Sequence, residues 1–158
     1  MPRRADRWDE PKREFLRQVR EETGVVLELE GRGARWASGP AGSLAIMASD
    51  SRGERWWLGL DENEFSRRHA LGVILLCRSK DAVIAFGMPG DRVRDLLPRL
   101  GRDQRGERKL NLVSRGRRYL LQVPGGNEID LAPFLVTQPF RDLKWLKGGR
   151  DQKEVVLV

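Results

Sequence analysis

Short apolar runs, each closed by a polar or glycine-containing turn, recur along the chain and confine it to folds built from brief strands. Residues 43–48 and 54–60 flank Asp50-Ser51-Arg52-Gly53, residues 73–78 and 82–86 flank Ser79-Lys80-Asp81, and residues 109–113 and 118–123 flank Ser114-Arg115-Gly116-Arg117. Turn residues between runs of β-formers predict three hairpins. Residues 25–30, VVLELE, alternate as a half-buried strand does. A first helix is predicted with Asp9 as N-cap, Glu10 and Pro11 in its first turn and Gly24 as its stop, burying Phe15, Leu16 and Val19 opposite Arg13, Arg17 and Arg20. A second starts at Asp91, with Val93, Leu96, Leu97 and Leu100 at helical spacing, a kink at Pro98 and a stop at Gly101. Residues 31–43 and 101–109 read as loops, the latter solvated and mobile, and residues 130–135 as one helical turn. This order predicts an α+β fold: a mainly antiparallel sheet built from three hairpins, packed with the N-terminal helix and a mid-chain helix. At 158 residues the chain is expected to be one domain, with residues 1–8 and 141–158 as loose tails.

Charge and composition then narrow the chemistry. Lys plus Arg number 30 against 23 Asp plus Glu, a net +7, which points to an anionic partner. Of the basic residues 24 are arginine, whose planar fork suits phosphate. One cysteine, Cys77, rules out an internal disulfide framework, and one histidine, His69, rules out a His-rich zinc site. Cys77 lies in the apolar run VILLCR and is expected to be buried and inert. No phosphate loop, dinucleotide fingerprint, serine-nucleophile elbow or HExxH is present. With no apolar leader and no run long enough to span a bilayer, a cytoplasmic protein without a membrane partner is expected.

Carboxylates are the remaining route to catalysis: Asp61, Glu62 and Glu64 follow one strand, and Asp50 ends the strand before it. An N-terminal helix, a Ser38-Gly39 loop and the strands SLAIMA and RWWLGL follow in that order. This layout, over about residues 10–100, resembles the PD-(D/E)XK nuclease fold and more narrowly the Holliday-junction resolvases. The resemblance implies a magnesium-dependent nuclease. The motif itself departs from the family, since Ser43 stands near the expected metal-binding aspartate and RWWLGLDENE contains no E-x-K. A displaced site would use Asp50, Glu62 and Glu64 as metal and catalytic ligands; otherwise DENE is the acidic first turn of a short helix, and no cofactor is needed.

Basic residues cluster at the turns. Arg52 lies in the first, Arg115, Arg117 and Arg118 surround the third, and Arg105, Arg108 and Lys109 belong to the loop before it. Arg32, Arg35 and Trp36 populate the glycine-rich loop, where Trp36 is a candidate base contact or wedge. Trp56 and Trp57 point to opposite faces of their strand: Trp56 shares the face of Leu58 and Leu60 and belongs to the core, whereas Trp57 is a stacking platform, or buried if helices cover both faces. The leading expectation is therefore a non-catalytic nucleic-acid-binding domain, DNA favoured over RNA, with arginine-tipped hairpins and the 101–109 loop on one face. The nuclease is the alternative. A third reading is a protein-interaction module or homodimer that docks through VVLV, residues 155–158.

Overall fold

The computed structural model describes residues 6–80 and 82–147. In chain order these form α1 (Asp9–Thr23), β1 (Glu28–Leu29), β2 (Trp36–Gly39), β3 (Gly42–Asp50), β4 (Arg55–Leu60), α2 (Glu62–Arg67), β5 (Gly72–Ser79), β6 (Ala82–Pro89), α3 (Gly90–Leu96), β7 (Arg108–Arg115), β8 (Arg118–Val123), β9 (Asn127–Asp130), β10 (Leu135–Val136) and α4 (Pro139–Asp142). A six-stranded sheet has the order β1-β2-β3-β5-β6-β10 and a four-stranded sheet the order β4-β7-β8-β9. Every pairing is antiparallel except β3 with β5, so the fold is α+β.

Burial periodicity explains the layering. β3 and β5 are apolar at consecutive positions because both their faces are covered. Leu44, Ile46, Ile74 and Leu76 pack with Phe15, Leu16 and Val19 of α1. Ala45, Met47, Val73, Leu75 and Cys77 turn the other way, onto Trp56, Leu58, Leu110, Leu112 and Leu121 of the four-stranded sheet. Phe65 of α2 and Val93 and Leu96 of α3 complete that second core. Each such side chain contributes about 1.5–3 kcal/mol by leaving water. β4 instead alternates, with Trp56, Leu58 and Leu60 buried and Arg55 and Trp57 exposed, because only one face of its sheet meets a core.

The hairpins at 79–81 and 114–117 form as expected, although Asp81 lies outside the described residues. The one read between residues 43–48 and 54–60 does not. Both runs are strands, but β3 pairs with β2 and β5 while β4 pairs with β7, so the Asp50–Gly53 turn carries the chain from one sheet to the other. The hairpin partner of β3 is β2, inside the segment read as a loop, and Gly42 takes φ 135° at its tip. Of the VVLELE run, Glu28 and Leu29 pair with β2, and the Glu30 N–H donates to the Trp36 carbonyl at 3.0 Å.

At the start of α1 the N-cap position is Trp8, and Asp9 is the first helical residue, its carboxylate accepting from Gly33 N–H at 3.0 Å. Gly24 ends the helix with φ 78°, donating to the Arg20 carbonyl at 2.9 Å. Residues 141–147 are not a loose tail: Leu143 and Leu146 are buried against the α1 layer. Trp8 is likewise in place, under the Arg7 and Arg78 guanidinium groups at 4.6 and 4.7 Å. The VVLV segment lies outside the described residues. No described helix is long and apolar enough to cross a membrane.

Candidate nucleic-acid interface

The outer face of the four-stranded sheet follows from its register. Trp57, Asn111, Gln122 and Glu128 form one row across the strands, and Arg55, Val113, Leu120 and Asp130 the next. Gly59 and Lys109 lie beyond the Trp57 row, and Arg115 and Arg118 beyond the Arg55 row. Trp57 is 48% exposed, a large aromatic on an open sheet face. Val113 and Leu120 share this outer face yet are buried. The Arg55 guanidinium reaches across β7 to Gln122 Oε1 at 3.1 Å. The face therefore offers an aromatic plane beside arginine and lysine side chains on an ordered backbone.

A cleft of about 320 Å³ opens beside Trp57, where β4, an edge strand, faces the six-stranded sheet. Trp8, Lys12, Arg35, Met47 and Trp57 are among the residues around it. Lys12 and Asp9, both buried, clamp the Gly31–Arg35 loop against α1: Lys12 Nζ donates to the Ala34 carbonyl at 2.8 Å, and Asp9 accepts from Gly33. Burial pushes the Lys12 amine down to about 8, against the attraction of Asp9. Between that value and the free-chain value of 10.5 the unfolded chain binds more protons than the folded one, so this group makes stability rise with pH across the window. Lys12→Met removes the contribution: thermal melts from pH 7.5 to 10.5 are expected to show a wild-type Tm that climbs relative to that of the variant.

The arginines read from the turns divide into two groups. Arg35 bonds both Glu107 oxygens at 3.0 Å, Arg115 pairs with Glu128, and Arg118 approaches Asp130 at 3.4 Å. Arg108 is 14% exposed in its side chain, held by Glu62 at 3.0 Å and the Leu100 carbonyl at 2.7 Å, and serves the fold. Arg115 and Arg118 have well exposed side chains, and such pairs are worth about 0–1 kcal/mol, so a phosphate can displace the acid. Arg52, Arg105, Lys109 and Arg117 are exposed and have no carboxylate partner among the described residues. Arg32 is exposed on the loop before β2. The 101–109 segment is a closed turn: Asp103 accepts from Arg105 N–H at 2.8 Å and Glu107 N–H at 3.0 Å, and Arg102 ties to Glu62 at 2.9 Å.

Trp36 is a correction. It is 7% exposed, with the Arg68 guanidinium 4.3 Å above its ring and Phe65 at 6.3 Å, so it is a core residue and not a wedge. Arg68 is fixed there by Glu30 at 2.7 Å, a pairing across 38 residues that local sequence does not announce. Trp57, for which both platform and core are open in the sequence, is exposed on the sheet face, as Phe140 is at the start of α4.

The chain matches no family model, no curated protein and no solved structure. The carboxylates of the nuclease alternative are each held by arginine. Asp50 is bonded to Arg78 at 2.8 Å, which holds its carboxyl below the usual range, with Arg7 at 3.6 Å. Glu62 lies between Arg102 and Arg108, and Glu64 between Arg67 at 3.0 Å and Arg68 at 3.6 Å. Asp61 caps α2, accepting from Glu64 N–H at 3.1 Å, so DENE is the acidic first turn of a helix. No group of three His, Cys, Asp or Glu among the described residues could hold a metal ion. Cys77 is buried, its thiol pushed up to about 12 by desolvation, which leaves no thiolate for chemistry near neutral pH.

Proposed function

We propose that this chain binds single-stranded nucleic acid, DNA in the first instance, across the outer face of its four-stranded sheet. The exposed Trp57 ring carries the reading. A base has a π-face whatever its identity, and stacking on an aromatic side chain is worth about 1–3 kcal/mol per base. Arg55, Lys109, Arg115 and Arg118 on the same face, with Arg117 at the β7–β8 turn, supply cations for successive phosphates. A strand laid over Trp57 also reaches the cleft that holds Arg35. Duplex DNA keeps its base faces stacked and has no use for such a platform, so the arrangement favours unpaired strands.

The test is fluorescence anisotropy with labelled oligo-dT, a matching RNA and a duplex, titrated from 50 to 300 mM salt. Oligo-dT is expected to bind more tightly than duplex, and Trp57→Ala to weaken it roughly ten-fold. Replacing Lys109 and Arg117 with alanine should lower the slope of log affinity against log salt by about 0.7 for each lost contact. Equal affinity for wild type and Trp57→Ala, or no binding at 50 mM salt, would overturn the assignment.

A further inference from the structure

The six-stranded sheet ends in an unfinished edge. β10 pairs with β6 only at Phe86 and Ala85. Beyond Val136 the chain turns away, and the Thr137 and Gln138 N–H groups donate to Asp142 Oδ2 at 2.9 and 3.0 Å. Residues 82–84 of β6 therefore have a strand neighbour on the β5 side and none among the described residues on the other. An open groove of about 470 Å³ runs along that edge. Phe15, Leu76 and Val83 line it on the α1 side of the sheet, while Ile84 and Tyr119 line it toward the four-stranded sheet. Val83 is 45% exposed and Leu135 39%, an apolar lip left open to water.

A strand completing this edge meets apolar surface on both faces, so it must be apolar at consecutive positions rather than alternate ones. VVLV, residues 155–158, has that composition and is rich in the β-branched type that strands prefer. We propose that these residues add to the outer edge of β6 in the same molecule, continuing the antiparallel ladder past Val136 and closing the groove.

Reach and direction agree with this occupant. Residue 147 is the last one described, and the neighbouring Trp145 ring lies against Gly72, at the end of the β5–β6 hairpin where Gly72 pairs with Pro89. From there to Val83 is roughly 20 Å at ~3.4 Å per residue. Eight residues, the separation of 147 and 155, can span at most ~26–29 Å. A chain travelling from the Pro89 end toward Val83 runs antiparallel to β6, as β10 does. The tether holds the segment at an effective concentration on the order of mM, which favours its own groove over that of a second copy.

The full-length chain carrying Val83→Cys with a cysteine at 155, 156 or 157 in turn tests this under mild oxidation. An intramolecular disulfide is expected in most molecules of at least one pair, with Arg99→Cys paired to the same positions as a control that stays reduced. Independently, the amides of residues 82–84 should exchange with deuterium at least ten-fold faster in Leu157→Asp than in wild type, while those of β5 are unchanged. Disulfide-linked dimers would assign the groove to a second copy, and control-level cross-linking with equal exchange would overturn the proposal outright.

Discussion

Gly72→Ala is expected to destabilise the protein by about 3 kcal/mol, the upper end of the usual range for overpacking. A Cβ at residue 72 would lie 2.3 Å from the Met88 carbonyl oxygen and 2.5 and 2.7 Å from two carbons of the Trp145 ring. Neither neighbour can give cheaply. The carbonyl belongs to β6, paired with β5 along its whole length, and Trp145 packs against the core under α1. Gly39 faces a still closer obstacle, Val26 O at 2.0 Å, but sits on the exposed β2–β1 side where two short strands can part. β5 is flanked by β3 and β6 and has no such freedom. For a chain of this size the loss should lower Tm by roughly 6–12 °C, read in a thermal melt. The double variant Gly72→Ala/Trp145→Ala separates the two clashes: it should recover the ring contribution and keep the carbonyl one, so that it costs less than the sum of the single changes.

The elements were more legible than their partners. Residues 73–86 and 109–123 declared their hairpins because turn chemistry and strand length are local. The turn at Asp50–Gly53 is equally local in its chemistry, yet it links strands of different sheets, because β3 is claimed by a parallel neighbour across α2. A signal is nevertheless present: SLAIMA is continuously apolar, the pattern of a strand covered on both faces, and RWWLGL alternates, the pattern of one covered on a single face. The candidate interface was harder to read. Arg35 finds Glu107 and Arg108 finds Glu62 at separations of 72 and 46 residues, so the acids that neutralise these turn arginines are invisible to any window of sequence. Trp36 misleads for the same reason: the glycine and proline around it suggest a loop, while its cover, Phe65 and Arg68, comes from α2 and the residue that follows it. The exposure of Trp57 is a property of the assembled fold: its ring is left open while Val113 and Leu120 on the same sheet face are buried.

The two adjacent tryptophans turn that contrast into a measurement. Trp56 is 3% exposed, its ring tilted against Tyr119 at 5.9 Å, and its Nε1 donates to the Arg78 carbonyl at 3.1 Å, joining β4 to the end of β5 in the other sheet. Trp56→Ala is expected to cost about 3–5 kcal/mol, since it leaves a cavity between two sheets that cannot collapse independently. Trp56→Phe should cost much less, because the Arg78 carbonyl also accepts from Ser51 N–H at 2.8 Å and is not left without a partner. Trp57→Ala should change stability by no more than about 0.5 kcal/mol, as surface substitutions do. Urea unfolding followed by far-UV circular dichroism reads all three. A large loss in Trp57→Ala would mean that the outer face is covered in solution, and it would remove the platform on which nucleic-acid binding rests; a small loss in Trp56→Ala would mean that the two sheets do not share a packed core.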